Sequence, residues 1–125
     1  MFRSGDIVTG PFPATEADLN IGTHHLVVLD SNKDGTIVMF TTSLKSVTGG
    51  NLEFTSEERT AAKWSKPCRF DPSRLAFFRS SDLNKLLPTG GHLNRRSLQR
   101  LIDASVRVKA TYVVYRAALR MVAAA

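Results

Sequence analysis

Three short apolar runs crowd the first forty-five residues of this chain with little between them. Gly5-Asp6-Ile7-Val8 leads through Thr9-Gly10-Pro11-Phe12-Pro13 into a polar loop. His25-Leu26-Val27-Val28-Leu29-Asp30 follows, then Thr36-Ile37-Val38-Met39-Phe40-Thr41-Thr42-Ser43-Leu44-Lys45. Each run is β-branched or aromatic, too short for a helix, and bounded by Gly, Pro, Asn or Asp, the pattern of buried strands in a small barrel. Between the last two, Asn32-Lys33-Asp34-Gly35 supplies residues that tolerate positive φ, so these runs are expected to form a hairpin.

A chain of 125 residues is expected to form one domain, and it is long enough to bury a core without disulfides or a structural metal. Cys68 is the single cysteine, and no Cys/His group has zinc-ligand spacing, so no metal is expected. No apolar run reaches membrane-spanning length, and Met1 to Asp6 lacks the apolar core of a signal peptide. A reduced, cytoplasmic setting follows as the expectation.

Beyond Lys45 the chain changes character. Residues 46–66 read as a long excursion from a barrel core of about residues 5–80, with a short strand at Asn51-Leu52-Glu53-Phe54 and a helical turn from Ser56. Arg74-Leu75-Ala76-Phe77-Phe78-Arg79 reads as a strand introduced by a turn at Asp71-Pro72-Ser73. Ser81-Asp82 can cap a short helix through Leu83, Leu86 and Leu87, stopped by Pro88 and Gly90-Gly91. Asn94 caps a second helix with Leu98, Leu101 and Ile102 on one face. Val106, Val108, Val113 and Val114 mix strand and helix signals, within a C-terminal region, 81–125, read mainly as helical.

Seventeen Lys and Arg stand against eleven Asp and Glu. From Asn94 onward, Arg95, Arg96, Arg100, Arg107, Lys109, Arg116 and Arg120 face only Asp103, so this region holds the whole excess of +6. Such a surface suits an anionic partner, nucleic acid foremost, and equally an acidic protein. Arg96, Arg100 and Arg107 share a face if one helix continues past Ser105.

The order and spacing of Gly5-Asp6-Ile7-Val8, Gly22-Thr23-His24-His25-Leu26-Val27-Val28-Leu29 and Thr41-Thr42-Ser43-Leu44-Lys45 resemble the MazF/PemK toxin endoribonucleases. The resemblance resumes at Cys68-Arg69-Phe70-Asp71-Pro72-Ser73-Arg74-Leu75, where PemK-like members carry an Arg-x-Asp element. It continues at Phe78-Arg79 and the Asn94 to Ile102 helix, and covers most of residues 5–104. It implies an α+β, mainly β fold: an SH3-like small barrel of MazF/PemK/CcdB type with C-terminal helices, assembled as a homodimer. It also implies cleavage of single-stranded RNA without metal or cofactor, leaving a 2′,3′-cyclic phosphate, and an acidic antitoxin protein as partner. In one place the chain departs from the family. Where relatives read Gly-x-Arg-Pro, this chain has Gly22-Thr23-His24-His25, so His24 replaces a phosphate-gripping Arg, and a His with an ordinary pKa near ~6.5 is mostly neutral at pH 7.

That chemistry needs a base for the 2′-hydroxyl, a group that holds the phosphate and an acid for the leaving oxygen. The resemblance assigns Asp71 as base and Arg69 as phosphate stabiliser or acid. His24 can transfer a proton, Thr41 can hydrogen-bond a phosphate oxygen, and Lys45, Trp64 and Arg79 are substrate-binding candidates, Trp64 by stacking on a base. Each has a structural alternative. Asp71 can build a turn, Arg69 can form a surface pair, Thr41 can be an ordinary strand residue, Lys45 can guard a strand end, and Trp64 can seal part of the core. Thr89-Gly90-Gly91 lacks the spacing of a phosphate loop, and His92 has no carboxylate or cysteine near it in sequence. The rival reading is a catalytically inactive barrel that binds nucleic acid or protein.

Overall fold

The computed structural model describes residues 2–11, 24–42, 52–63, 69–108 and 111–114. Their strands are β1 (Asp6–Gly10), β2 (His24–Asn32), β3 (Gly35–Thr42), β4 (Leu52–Glu53), β5 (Arg69–Arg79), β6 (Leu87–His92) and β7 (Thr111–Val114). Helix α1 (Ser56–Ala62) follows β4, a 3-10 helix (Ser80–Lys85) follows β5, and α2 (Arg95–Arg107) follows β6. The sheet runs β4-β5-β3-β2-β1-β6, antiparallel throughout, and curls into a half-barrel. β7 lies parallel to β5.

The hairpin forms as the turn chemistry requires. Asn32 pairs with Gly35, and the Asn32 side-chain oxygen accepts the Asp34 amide at 2.8 Å and the Gly35 amide at 3.3 Å. Gly35 also faces β5 so closely that a Cβ there would lie 2.2 Å from the Phe78 carbonyl oxygen. Gly35→Ala is expected to cost about 1–3 kcal/mol, because paired backbone must give way. Chemical denaturation measures it, and an unchanged midpoint would contradict this packing.

The central strands are apolar in unbroken runs because both faces are covered. On one face Val8, Leu26, Val28, Val38, Phe40, Ala76 and Phe78 pack with Leu86, Leu83 and Phe2. On the other, Ile7, Val27, Leu29, Met39 and Phe70 pack with Phe54, Ala62, Leu93 and Leu101. The segment expected as an excursion thus contributes Phe54 and Ala62 to the core. Helix α1 also reaches β6, the opposite edge of the six-strand path. A Cβ on Gly91 would lie 2.8 Å from the Ala62 carbonyl oxygen, so only glycine permits this approach.

Several expectations are corrected. The helix expected through Leu87 is a 3-10 helix ending at Lys85, with Arg79 rather than Ser81 or Asp82 at its N-cap and no side-chain cap. Leu87 and Pro88 instead pair with Thr9 and Val8 in β6, since an edge strand tolerates a proline that a helix interior or central strand does not. The region read as helical therefore contains β6 and β7. β5 begins at Arg69 rather than Arg74, because Asp71-Pro72-Ser73 is a bulge inside the strand. Asp71 pairs with Phe40 and Leu75 with Met39, so Pro72, Ser73 and Arg74 have no partner on β3, while Arg74 pairs with Thr111 of β7. Helix α2 matches expectation: Asn94 accepts the Ser97 amide at 2.8 Å, and Leu101 is fully buried between the half-buried Leu98 and Ile102.

Candidate functional site

The bulge in β5 organises one end of the sheet. Pro72 cannot donate to a ladder, and Asp71 closes the bulge on itself: its Oδ1 accepts the Ser73 amide at 3.1 Å and the Ser73 hydroxyl. The detour returns Arg74 toward Asp71, with Arg74 Nε 3.4 Å from Asp71 Oδ2. It also lays the Arg74 guanidinium 5.5 Å from the centre of the Phe40 ring. His24 packs on the same ring, with centroids 4.9 Å apart. Phe40 is therefore a ring that both His24 and Arg74 approach, and Arg74 is paired with Asp71.

Exposure separates the roles. Asp71 is buried at 7 % exposure with both oxygens engaged, whereas the Arg74 side chain is 57 % exposed. Beyond Nε, the Arg74 guanidinium makes no hydrogen bond among the described residues. The His24 imidazole is half-buried and also free of hydrogen bonds among these residues. Burial first, and the neighbouring His25 second, hold the His24 pKa below its ordinary value. Burial lowers His25 likewise. Both rings are thus predominantly neutral at pH 7, which leaves His24 able to accept a proton.

Of the residues singled out from sequence, His24, Arg69 and Asp71 come to this end of the sheet. Arg69 and Asp71 alternate onto the same face of β5 on either side of the buried Phe70. Arg69 pairs with Glu53 at 2.6 Å, and Glu53 is 72 % exposed, so a competing anion can exchange for it at little cost. Thr41 does not join them. It is 3 % exposed, and its hydroxyl donates to the His25 carbonyl at 2.6 Å, fastening β3 to β2. Arg79 is exposed opposite Gly35 at the hairpin end. Five ladder positions separate Gly35 from Phe40, about 17 Å at the strand rise. Lys45 and Trp64 lie outside the described residues.

Sequence reading missed three side-chain groupings. Arg74 reads as a strand residue, and only the proline two residues before this cation hints at a bulge. His92, set aside for want of a carboxylate nearby, has Asp6 Oδ1 at 2.8 Å from Nδ1, across 86 residues. Asp6 also accepts the Arg3 amide at 2.8 Å, so this pair ties the β1 entry to β6. The third grouping revises the basic face. Helix α2 does continue to Arg107, but Arg100 turns inward onto Glu58 of α1 and over Phe70, leaving Arg96 and Arg107 outward.

The fold and site define a small β-rich protein with a cationic, imidazole-bearing cluster on one sheet end. Compared with protein-family models and with curated proteins, the sequence has no significant match. Among the described residues, no helix is long and apolar enough to cross a membrane. No group of three or more His, Cys, Asp or Glu is placed to hold a metal ion among them.

Proposed function

We propose that this protein is a metal-independent endoribonuclease of the MazF/PemK kind, built on an SH3-like barrel, which cuts single-stranded RNA by transesterification. The observation that carries this reading is the seating of a neutral His24 and an exposed Arg74 on one aromatic ring. His24 removes the 2′-hydroxyl proton, the 2′-oxygen attacks phosphorus, and the bond to the 5′-oxygen breaks, leaving a 2′,3′-cyclic phosphate. Arg74 binds the phosphate through its free nitrogens as charge builds, the task of the Arg that His24 replaces. Arg69, exchanging Glu53 for phosphate, adds a second cation, and the leaving oxygen takes its proton from solvent. Asp71 positions Arg74 in this scheme rather than serving as base, because both its oxygens are already engaged.

The engagement of Asp71 also favours a second reading, a barrel that binds RNA phosphates without cutting. One experiment separates the two. Purified protein is incubated in excess EDTA with single-stranded RNA and with the same strand 2′-deoxy at the cut position. Cleavage of the first, none of the second, and a cyclic phosphate end are expected. Activity only with an added divalent ion would sink the mechanism, and binding without cleavage would establish the second reading.

A further inference from the structure

Helix α1 carries Ser56, Arg59 and Thr60 at spacings of three and four, one stripe along its side, and its C-cap Lys63 extends the group beyond the helix end. These four residues line a solvent-open pocket of about 330 Å³. The stripe is rigidly backed. On the inner side Phe54 and Ala62 are in the core, and Glu58, at 2 % exposure, closes a capping box with Thr55 and pairs with Arg100. Lys63 ends the helix in the left-handed conformation (φ 58°), and its ammonium lies 3.4 Å from where a Cβ of Gly90 would stand. A glycine in β6 thus leaves room for the Lys63 head.

The two cations of this pocket lack the usual neutralisation. Neither Arg59 nor Lys63 forms an ion pair among the described residues. The acids nearest in the helix are committed elsewhere: Glu57 accepts from the Asn94 amide group at 3.3 Å, and Glu58 is bound to Arg100. The Thr60 hydroxyl donates to the Ser56 carbonyl at 3.1 Å, and the Ser56 hydroxyl makes no hydrogen bond among the described residues. A planar guanidinium, a point-charge ammonium and a hydroxyl converging on one concavity match the oxygens of a phosphate group.

We propose that the Ser56, Arg59, Thr60 and Lys63 pocket binds a phosphate group, either free or as a phosphodiester of a nucleic-acid strand. The pocket is lined by none of the residues placed in RNA cleavage, so this proposal does not rest on that activity. Isotope-labelled full-length protein is titrated with inorganic phosphate, and with chloride at matched ionic strength, while the amide signals of Ser56 to Lys63 and Gly90 are followed. Saturable shifts with phosphate and not chloride are expected. In the Arg59→Gln/Lys63→Gln double variant, affinity should fall about ten-fold or more, since two charge-assisted contacts are lost. A 2′-O-methyl oligoribonucleotide, which cannot be cut, distinguishes the sources. If the pocket takes strand phosphates, the double variant lowers the slope of log affinity against log salt by about 1.4. An unchanged slope together with saturable inorganic phosphate binding assigns the pocket to free phosphate compounds. Both substitutions are at the surface, and Lys63→Gln alone provides a milder variant if the double one melts early. Shifts that are equal in chloride, or that survive intact in folded variants, would overturn the proposal.

Discussion

If the proposed endoribonuclease mechanism holds, His24→Ala is expected to lower RNA cleavage by about 10²-fold or more, the range of a positioned general base, while RNA binding through Arg74 is retained. The expectation rests on a ring that touches Phe40 and is held below its ordinary pKa by burial and by His25. The pH dependence follows from that direction. The base form predominates at neutral pH, so kcat/KM is expected to fall as pH drops through a value below about 6.5, the unperturbed value for histidine. His25→Ala removes the second cause of the lowering and should move the midpoint upward. Stability carries the same sign. With the folded pKa below the unfolded one, the unfolded chain binds the proton more readily, so stability is full above pH ~6.5 and declines as pH falls through the folded value. His24→Arg separates grip from chemistry: RNA affinity is kept or raised by the permanent charge, and cleavage is lost. Full cleavage by folded His24→Ala would remove the residue from the mechanism.

Arg100→Met is expected to destabilise the fold by about 3 kcal/mol, lowering Tm by on the order of 10 °C. Glu58 is 2 % exposed, and its Oε1 accepts from both the Thr55 amide at 2.9 Å and Arg100. Removing the guanidinium strands a buried carboxylate that still closes the α1 capping box, whereas neutralising both partners together should recover much of the loss. Arg96→Gln, on an outward residue of the same helix, should change stability by no more than about 0.5 kcal/mol. The comparison by thermal melting decides whether Arg100 is a structural residue. Equal effects of the Arg96 and Arg100 substitutions would contradict the assignment.

The contrast between these two arginines shows where sequence reading ends. Local chemistry was legible: the Asn32 to Gly35 hairpin, the Asn94 cap and the apolar face of α2 depend on residues within a few positions of one another. Val27 and Val28, buried on opposite faces, account for the unbroken apolar run that reads as a buried strand. His24 and Asp71 were also recognisable as chemistry-bearing residues. What they touch was not. Leu87 and Pro88 read as a helix end because a proline stops a helix locally, and only the free edge of β1 makes them a strand. Arg74 meets Phe40 because a bulge offsets β5 against β3, and that register belongs to a pair of strands rather than to either one.

By itself the sequence determined the strands of its first third, the Asn32 to Gly35 turn, the Asn94 cap and the surplus of positive charge, all of which depend on neighbouring residues and on composition. Only the tertiary structure decided which charges are spent and which remain available. Arg100 is tied to Glu58 across 42 residues, His92 to Asp6 across 86, and Thr41 to the His25 carbonyl, while Arg74, Arg59 and Lys63 stay open to solvent or to an anion. The reason is that pairing depends on separation in space, and strand register and helix packing set that separation between residues with no local relation.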